Sequence, residues 1–377
     1  MKLLPGFLIF GGICGAAAGY VTARLSLPFV EGGLSTWGIL VAGLLVAVLV
    51  SAAFVLQPRE GKGGIEAAQV LGFLVFGLLS VSLVFVLIAE GGLAILTWSG
   101  VVLEKVVQDW AWLGALALSV GSVCFAVLNA RRAARVQKLE VKLESLPPEF
   151  EGYRIVQISD VHIGPGVGRS RVASIVEQCN ALEADLLALT GDLADGPADE
   201  LRTASEPLAG LVAQDGVVFV TGNHDYYSRV DPWCARAREL GMKVLLNEHF
   251  DLQRGEARIR IGGVTDPSGG LFREGHAPEL RRALGDDAPD CSILLAHQPK
   301  CAREAAGLGY ALQISGHTHG GQYFPFNLLI FLTMPFVAGL YRIKGMQLFV
   351  HRGTTWWGPP MRLGSPHEVV QLTLNRA

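Results

Sequence analysis

Four long apolar segments in the first third of the chain constrain its fold more than any other feature. Each has close to the ~20 residues that a helix needs to cross a hydrocarbon core of ~30 Å. A helix of this length in a soluble core would carry a polar stripe, and none of the four segments shows one. The sequence therefore predicts an all-α transmembrane region of about four helices, at residues 3–23, 36–56, 67–88 and 110–130.

The first apolar segment has a second interpretation. Lys2, the apolar run after it and the small residues Ala16, Ala17 and Ala18 also fit a signal peptide that is cleaved after export. Three further apolar segments follow, so either interpretation leaves the protein in a membrane. The small residues would also allow close packing against a neighbouring helix.

The overall composition agrees with a membrane protein. Half of the 377 residues are hydrophobic and 17% are charged, which is too apolar for an ordinary soluble protein. The formal net charge of −3 gives no support to a nucleic-acid partner, and we expect none. The six cysteines form no C-x-x-C pair, so we expect buried, reduced thiols.

Basic residues are distributed unequally between the two sides of the predicted membrane region. With four spans, both chain ends and the second loop lie on one side, and the side richer in lysine and arginine is normally cytoplasmic. We therefore expect a multi-pass protein of the cytoplasmic membrane, with its C-terminal domain in the cytoplasm. The richer side carries Lys2, Arg59, Lys62, Arg131, Arg132, Arg135 and Lys138, and the other side carries Arg24 and Lys105.

The remainder of the chain alternates short β-rich runs with amphipathic stretches. This alternation predicts an α/β domain at residues 139–377, preceded by a transmembrane anchor domain at residues 1–138. We expect strands at 154–159, Leu186–Thr190, 217–221, 258–262, 292–296 and 311–315, with two more candidates at 347–351 and 369–374. We expect helices at 170–182, 199–213, 232–240 and 278–283.

Five of the predicted strands end directly in residue types that bind metals. Open α/β sheets place their ligand sites at the carboxyl ends of strands, so we expect these residues to meet at one edge. Carboxylate oxygens and imidazole nitrogens together suit Mn²⁺, Fe²⁺ or Zn²⁺. The five runs are Ser159-Asp160-Val161-His162, Gly191-Asp192, Gly222-Asn223-His224-Asp225, Ala296-His297-Gln298 and Gly316-His317-Thr318-His319.

Spacing inside two of the runs suggests how their side chains converge. Asp160 and His162 are two residues apart, as are His317 and His319. An extended backbone would point both members of each pair to the same side. A single Asp-x-His is mostly coincidence, but five of the nine histidines fall in these runs. The joint pattern predicts a metal site.

In this order the runs resemble the motifs of the calcineurin-like metallophosphoesterase superfamily: D-x-H, G-D, G-N-H-D/E, a single H and G-H-x-H. The resemblance covers residues 139–374 and implies a sandwich of β-sheets flanked by helices, with metal-dependent hydrolysis of phosphoric esters. Residues 146–150, 316–322 and 352–364 are similar to a membrane-associated bacterial branch that includes UDP-2,3-diacylglucosamine pyrophosphatase-like enzymes. That branch implies a bacterial-type inner membrane.

The resemblance also implies a role for each residue of the site. Two divalent ions would be bound, which can activate a shared water and neutralise phosphoryl oxygens. His224 would face the substrate and donate a proton, and Asp225 would either orient His224 or cap the next helix. The first ion would be held by Asp160, His162, Asp192 and His319, and the second by Asn223, His297 and His317, with Asp192 bridging both.

The substrate is indicated only by an uncharged stretch at residues 323–341, directly after the last ligand run. A fifth span is disfavoured because Pro325, Asn327 and Pro335 interrupt it. The stretch is either a buried loop or an apolar wall that receives acyl chains from the bilayer. Three functions stay open: hydrolysis of a membrane-associated phosphorylated lipid, hydrolysis of soluble nucleotides or phosphoproteins, and a metal-binding sensor without activity.

Overall fold

The computed structural model describes residues 4–30, 33–56 and 63–377. Three of the residues used to infer orientation, Lys2, Arg59 and Lys62, lie outside this part of the chain. The chain forms two compact units. The first contains Met1–Arg131 with Tyr323–Pro325 and Gly358–Leu363, and the second contains Arg132–Gln322, Phe326–Trp357 and Gly364–Ala377.

Within the described residues the first unit contains four helices, but only three of them match the prediction of four membrane-crossing segments. Three of them are long and apolar enough to cross a membrane, at Thr36–Val55, Gly64–Trp98 and Lys105–Arg131, whereas Ile9–Leu25 forms a shorter apolar stretch. The helices are α1 (Leu4–Leu25), α2 (Thr36–Val55), α3 (Gly63–Trp98) and α4 (Lys105–Arg131).

Helix α3 continues ten residues beyond its predicted end, through Glu90, Gly91 and Gly92. Glu90 forms an ion pair with Arg24 of α1, which gives this charged side chain a partner. Helices α1 and α2 approach closely where glycines face each other. A Cβ at Gly43 would lie 2.7 Å from the carbonyl oxygen of Gly15, so the small residues do permit close helix packing.

Two short segments from far along the chain complete the first unit. Met361 and Tyr323 are buried against Val81 of α3 and Ala126 of α4. The Arg362 N–H donates a hydrogen bond of 2.9 Å to the carbonyl oxygen of Ala126. Both segments are therefore held by apolar packing and a backbone hydrogen bond to these helices.

The second unit is a sandwich of two six-stranded sheets, with strand orders β1-β12-β2-β3-β4-β5 and β10-β11-β9-β8-β7-β6. Helices flank both sheets, which confirms the predicted fold class. The strands are β1 (Arg135–Leu143), β2 (Tyr153–Ile158), β3 (Leu186–Thr190), β4 (Val217–Val220), β5 (Lys243–Val244), β6 (Glu248–Arg254), β7 (Ala257–Gly263), β8 (Cys291–Leu295), β9 (Leu312–Ser315), β10 (Gly339–Ile343), β11 (Met346–Val350) and β12 (Glu368–Arg376). The helices are α5 (Arg169–Asn180), α6 (Arg202–Ser205), α7 (Asn223–Tyr227), α8 (Val230–Glu239), α9 (Gly269–Phe272), α10 (Leu280–Leu284), α11 (Ala302–Leu308) and α12 (Phe326–Leu329).

Three apolar layers hold the sandwich together. The layer between the sheets takes side chains from both, including Ile155 and Leu372 from one sheet and Ile293 and Phe349 from the other. The outer face of the first sheet packs against α5 and α8, and that of the second against α10 and α11. Central strands such as β3 are therefore buried on both faces, which explains their unbroken apolar sequences.

Several predictions of local structure are wrong in their details. The helix expected at 199–213 is only α6 followed by a 3-10 turn at Glu206–Gly210, because Pro207 cannot donate the hydrogen bond that an α-helix requires. The stretch at 323–341 is no membrane span: it forms α12, a 3-10 turn at Ile330–Leu332 and the start of β10. Cys124 is exposed rather than buried, although all six thiols are free.

Candidate metal centre

The predicted site residues follow the carboxyl ends of five strands, but these strands belong to two sheets rather than one. Strands β2, β3 and β4 are parallel neighbours in the first sheet, and β8 and β9 are parallel neighbours in the second. Backbone and side-chain hydrogen bonds join the two sheets at this end. The His317 N–H donates to Asp160 Oδ1 over 3.0 Å, and His297 Nδ1 donates to the Thr190 carbonyl oxygen over 2.7 Å.

The backbone of the site is not extended, contrary to the expectation for the paired residues. Five site residues adopt the left-handed conformation, which costs of order 1–3 kcal/mol for each residue other than glycine. Such strain persists only where the surroundings fix the backbone, and it concentrates at functional sites. The five φ angles are 55° at Asp160, 47° at His162, 54° at Asp192, 75° at His317 and 51° at His319.

The loop that carries Asp160 and His162 is fixed by a segment near the end of the chain. The Thr354 N–H donates to the Ser159 carbonyl oxygen over 2.8 Å. The Thr355 hydroxyl donates to the Val161 carbonyl oxygen over 2.6 Å. These contacts give a structural reason for the closing motif around Thr354.

Two glycines permit close approach between the loops. A Cβ at Gly222 would lie 2.2 Å from Asp192 Oδ1, and a Cβ at Gly316 would lie 2.4 Å from Asp160 Oδ2. Any larger residue would displace a carboxylate of the site. Glycine is therefore required here for space, independently of its backbone freedom.

One cluster of candidate ligands contains Asp160, His162 and His319, whose ligand atoms lie within 4.8 Å of one another. The Nε2 atoms of His162 and His319 are 3.0 Å apart, and His319 Nε2 is 3.4 Å from Asp160 Oδ1. All three side chains are buried. Two imidazole lone pairs facing one carboxylate form a donor set that suits a divalent cation.

A second cluster contains Asp192, His297 and His317. Asp192 Oδ2 is 3.1 Å from His297 Nε2, and His317 Nδ1 is 3.3 Å from the same nitrogen. Burial lowers the pKa of His317 to about 3, and the charge of His297 adds to this, so the ring is neutral in the metal-free chain. Asp192 also groups with His162 and His224, and so belongs to two clusters.

Asn223 supports the fit of a metal ion to these residues. Its side chain is buried, and within the described part of the chain Oδ1 has no hydrogen-bond partner. A buried acceptor without a partner costs about 1–3 kcal/mol. A cation bound by Oδ1 would remove that cost. The structure thus brings together six of the seven residues that the sequence suggested as ligands, namely Asp160, His162, Asp192, His297, His317 and His319, and Asn223 directly precedes His224, whose N–H donates to Asp192.

The carboxylate beside His224 is Asp195, a residue that the sequence analysis missed. Asp195 Oδ1 accepts hydrogen bonds from His224 Nδ1 over 2.7 Å and from His162 Nδ1 over 3.0 Å. It therefore connects a candidate ligand with the candidate proton donor. The available signal was its position three residues after Asp192, on the same strand-end loop.

Asp225 does not contact His224, which corrects one of the two roles considered for it. Its carboxylate accepts hydrogen bonds from the backbone N–H groups of Gly222, Asp192 and Leu193, at 2.7, 3.0 and 2.9 Å. Asp225 thus caps α7 and ties two ligand loops together. The structure favours the capping alternative.

Charge at the site is dominated by buried acids beside histidines. Burial lowers the pKa of His224, but the charges of Asp195 and Asp192 and the hydrogen bond that His224 donates to Asp195 outweigh burial and raise that pKa to about 9. Burial opposes the charge of Asp192, yet the neighbouring His297 and His224 hold its pKa well below the usual range. His224 is therefore protonated at neutral pH, next to ionised carboxylates.

Comparison with known proteins agrees with this geometry. The family described as calcineurin-like phosphoesterase matches residues 153–321. The transmembrane protein with metallophosphoesterase domain of Bos taurus is 41% identical over 277 residues, covering 70% of this chain and 62% of that protein. Its counterpart of the same name in Danio rerio is 38% identical over 272 residues, with the same coverage.

A bacterial relative matches over most of its own length. An uncharacterized metallophosphoesterase of Aquifex aeolicus is 34% identical over 244 residues, covering 64% of this chain and 91% of that protein. The chain spans only 62% of the length of the two vertebrate relatives. The similarity therefore extends to both bacterial and animal proteins.

Proposed function

Because the chain belongs to the calcineurin-like metallophosphoesterase family, we propose that it is a membrane-anchored, metal-dependent hydrolase of phosphoric esters. The observation that carries this proposal is the position of Asp192, whose Oδ2 lies 3.1 Å from His297 Nε2 of the second cluster and 3.8 Å from His162 Nε2 of the first. One acid shared by two clusters is the arrangement that a pair of divalent ions requires.

In this proposal the first ion is held by Asp160, His162, Asp192 and His319, and the second by Asn223, His297, His317 and Asp192. The chemistry suits Mn²⁺, Fe²⁺ or Zn²⁺. When bound, such ions act as Lewis acids on a phosphoryl group and activate water. The buried carboxylates and imidazoles supply mixed oxygen and nitrogen ligands, which is why the site does not suit Mg²⁺ or Ca²⁺ equally well.

The side chains of the chain itself hold the site in place and supply a proton to the leaving group. His224 Nδ1 is held by Asp195, so its remaining ring nitrogen is available to donate a proton to the leaving oxygen. Asp192 Oδ1 accepts a hydrogen bond of 2.8 Å from the His224 N–H, which fixes that residue against the ligand clusters. Asp225 acts indirectly, since it holds the loops of Gly222 and Asp192 together.

We propose a membrane-associated phosphorylated lipid as the substrate, such as a compound of the UDP-diacylglucosamine type. Residues 326–332 support this, because Leu328, Leu329, Phe331 and Leu332 are all exposed. They follow directly on Tyr323–Pro325, a segment of the first unit. Exposed apolar side chains in such number favour contact with lipid. The resemblance to UDP-2,3-diacylglucosamine pyrophosphatase-like enzymes favours the same substrate class.

The organisation that goes with this function is also a proposal. The sequence suggests residues 1–138 as the membrane anchor and residues 139–377 as the catalytic domain, and to the latter we add residues 135–138, which belong to β1. The unequal distribution of lysine and arginine favours a cytoplasmic catalytic domain at a bacterial-type inner membrane. The four helices place the enzyme at the bilayer that holds its substrate.

Two alternative functions make different demands on the site. An anchored phosphodiesterase or phosphatase for soluble nucleotides or phosphoproteins would use the same centre without the apolar surface. A sensor would bind metal without turnover. The second alternative is disfavoured because every candidate ligand and His224 keep residue types that can perform the chemistry.

The proposal is tested with full-length protein in detergent, loaded with Mn²⁺ or treated with chelator. The panel contains a diacylated sugar-nucleotide lipid, a cyclic nucleotide and bis(p-nitrophenyl) phosphate. Metal-dependent cleavage of the lipid is expected. Cleavage of only the small esters would favour the soluble-substrate alternative, and no turnover despite bound metal would favour the sensor.

Charged substitutions on the exposed apolar surface should separate lipid from small substrates. We expect the double substitution Leu329→Glu and Phe331→Glu to lower the rate of lipid hydrolysis about tenfold or more. Both new carboxylates would have to lose their hydration when acyl chains bind against them. Hydrolysis of bis(p-nitrophenyl) phosphate should change less than twofold. Val212→Glu is the matched control, since Val212 is 67% exposed and Phe331 is 65% exposed. Equal losses on both substrates would contradict a role in lipid binding.

Asp195→Asn is expected to lower kcat about 10- to 100-fold, the usual effect of removing a residue that orients a metal ligand. Both histidines donate to Oδ1, which an asparagine keeps, but the amide carries no charge and therefore holds the rings of His162 and His224 less strongly. Steady-state kinetics on bis(p-nitrophenyl) phosphate and metal analysis of the same preparation measure the effect. A kcat within twofold of the wild-type value would show that Asp195 does not position these rings.

A further inference from the structure

Two exposed aromatic side chains stand beside His224, and neither is a candidate metal ligand. The ring centroid of Tyr227 is 5.1 Å from that of His224, and the ring of Trp357 is 5.3 Å from it. Tyr227 is 51% exposed and Trp357 is 40% exposed. Large aromatic residues normally bury more of their surface, so half-exposed rings next to a buried polar centre indicate a surface that a ligand covers.

The aromatic surface continues away from His224 on one side. The ring centroid of Phe272, in α9, is 5.4 Å from that of Tyr227, and this side chain is also exposed. Beyond His224, the ring contacts given for this surface join the neutral side chains of Tyr227, Phe272 and Trp357. The surface therefore suits a planar, uncharged group more than an anion or a cation.

The backbone of Trp357 is held by a residue of the last ligand block. Gln322 Nε2 donates to the Trp357 carbonyl oxygen over 2.9 Å, and Gln322 Oε1 accepts from the Trp357 N–H over 2.9 Å. Gln322 is buried, has a φ of 55° and follows the candidate ligand His319 by three residues. This paired hydrogen bond links the position of Trp357 directly to the metal-binding loop.

We propose that Tyr227 and Trp357 form a stacking subsite for a planar aromatic group on the leaving side of the phosphoric ester, with a nucleobase as the fitting chemistry. The inference rests on the proposed function, since it takes His224 as the residue that faces the leaving oxygen. The group attached to that oxygen would therefore lie beside the rings of Tyr227 and Trp357. Aromatic side chains stack on every base, whereas an alkyl group gains only desolvation. Gln322 is the positioning residue of this subsite.

The subsite is tested by equilibrium binding, separately from turnover. Full-length protein in detergent, loaded with Mn²⁺, is titrated calorimetrically with adenosine 5′-monophosphate and with ribose 5-phosphate. The two probes share the sugar and the phosphate and differ only in the base. Wild-type protein is expected to bind the nucleotide about tenfold or more tightly, given the usual contribution of one stacked base.

Variants assign that difference to the aromatic pair. Trp357→Ala and Tyr227→Leu are each expected to lower the preference for the nucleotide about tenfold, leaving the affinity for ribose 5-phosphate within twofold. Trp357→Phe keeps an aromatic face and should retain most of the preference. Gln322→Ala should also reduce the preference while retaining the affinity for ribose 5-phosphate, which a general loss of folding would not do.

The possible outcomes distinguish this inference from the proposed function. Equal binding of the two probes by wild-type protein, including no binding of either, would overturn the stacking subsite. So would a preference that survives in both Trp357→Ala and Tyr227→Leu. Turnover of bis(p-nitrophenyl) phosphate is measured on the same preparations. Turnover without base preference overturns only the subsite, and base preference without turnover of any ester overturns only the proposed activity.

Discussion

Asp192→Asn is expected to lower kcat/KM at least about a thousandfold and to reduce the bound metal below two ions per chain. Asp192 Oδ2 lies 3.1 Å from His297 Nε2 and 3.8 Å from His162 Nε2, so one carboxylate serves both ligand clusters. Asparagine keeps the shape but replaces one oxygen by a donor and removes the charge. Lewis-acid stabilisation is worth several kcal/mol, and ~1.4 kcal/mol corresponds to a factor of ten.

The measurement combines kinetics on bis(p-nitrophenyl) phosphate with metal analysis by mass spectrometry. Asp215→Asn is the matched control, because Asp215 accepts a hydrogen bond of 2.7 Å from the Tyr153 hydroxyl, which an asparagine can also accept. Asp215 precedes β4, whereas the candidate ligands follow the other ends of their strands. Full activity and two bound ions in Asp192→Asn would refute the bridging role.

The buried strands and the candidate ligands were the most predictable parts of the chain. Strand β3 is predicted at its observed bounds, Leu186–Thr190, because a strand covered on both faces must be apolar throughout. Residues that can bind metals stand out directly after such strands, because the strands themselves contain mostly apolar residues. The prediction of where Asp160, His162 and Asp192 lie thus needed no knowledge of tertiary packing.

Edge strands were less predictable. Strands β1, β5, β6 and β10 were not predicted, and each lies at or near the end of a sheet. The side chains of β1 and β10 are partly exposed, so their sequences lack the apolar signal of the central strands. Their pairing depends on a neighbour supplied by the fold, as when β1 pairs in parallel with β12. Local sequence does not contain that information.

The local backbone of the site was also beyond prediction. A two-residue spacing suggests extended structure, yet both Asp160 and His162 have positive φ angles. Contacts from residues almost 200 positions later, at Thr354 and Thr355, hold that loop. Strain of this kind is stabilised by tertiary contacts and is typical of functional sites, where local preference and global fold disagree.

The roles of Asp195 and Asp225 show the same limit. Both are acidic residues within a few positions of a candidate ligand, and the sequence suggested Asp225, which adjoins His224, either as its partner or as a helix cap. In the folded chain Asp225 turns toward three backbone N–H groups, and Asp195 reaches His224 from another loop. Which acid contacts a histidine is decided by loop geometry. Adjacency in sequence was misleading here.

His224→Ala is expected to lower kcat about 10²- to 10⁴-fold while leaving two ions bound, the range that a general acid contributes. The His224 side chain is 15% exposed, compared with 1% for His162, so it faces outward from the ligand clusters. In the metal-free chain, the charges of Asp195 and Asp192 raise its pKa to about 9 despite burial, which favours the protonated ring. It therefore has a proton to donate.

The loss should depend on the leaving group, which separates proton donation from metal binding. An alkyl leaving oxygen is strongly basic and needs a proton, whereas p-nitrophenolate leaves almost without help. We therefore expect the effect of His224→Ala on a methyl ester to exceed that on bis(p-nitrophenyl) phosphate at least tenfold. His249→Ala, on strand β6, is the histidine control. If activity and bound metal fell together, equally for both esters, His224 would be a ligand rather than the acid. An unchanged kcat would exclude it from both roles, and the proton would then have to come from solvent.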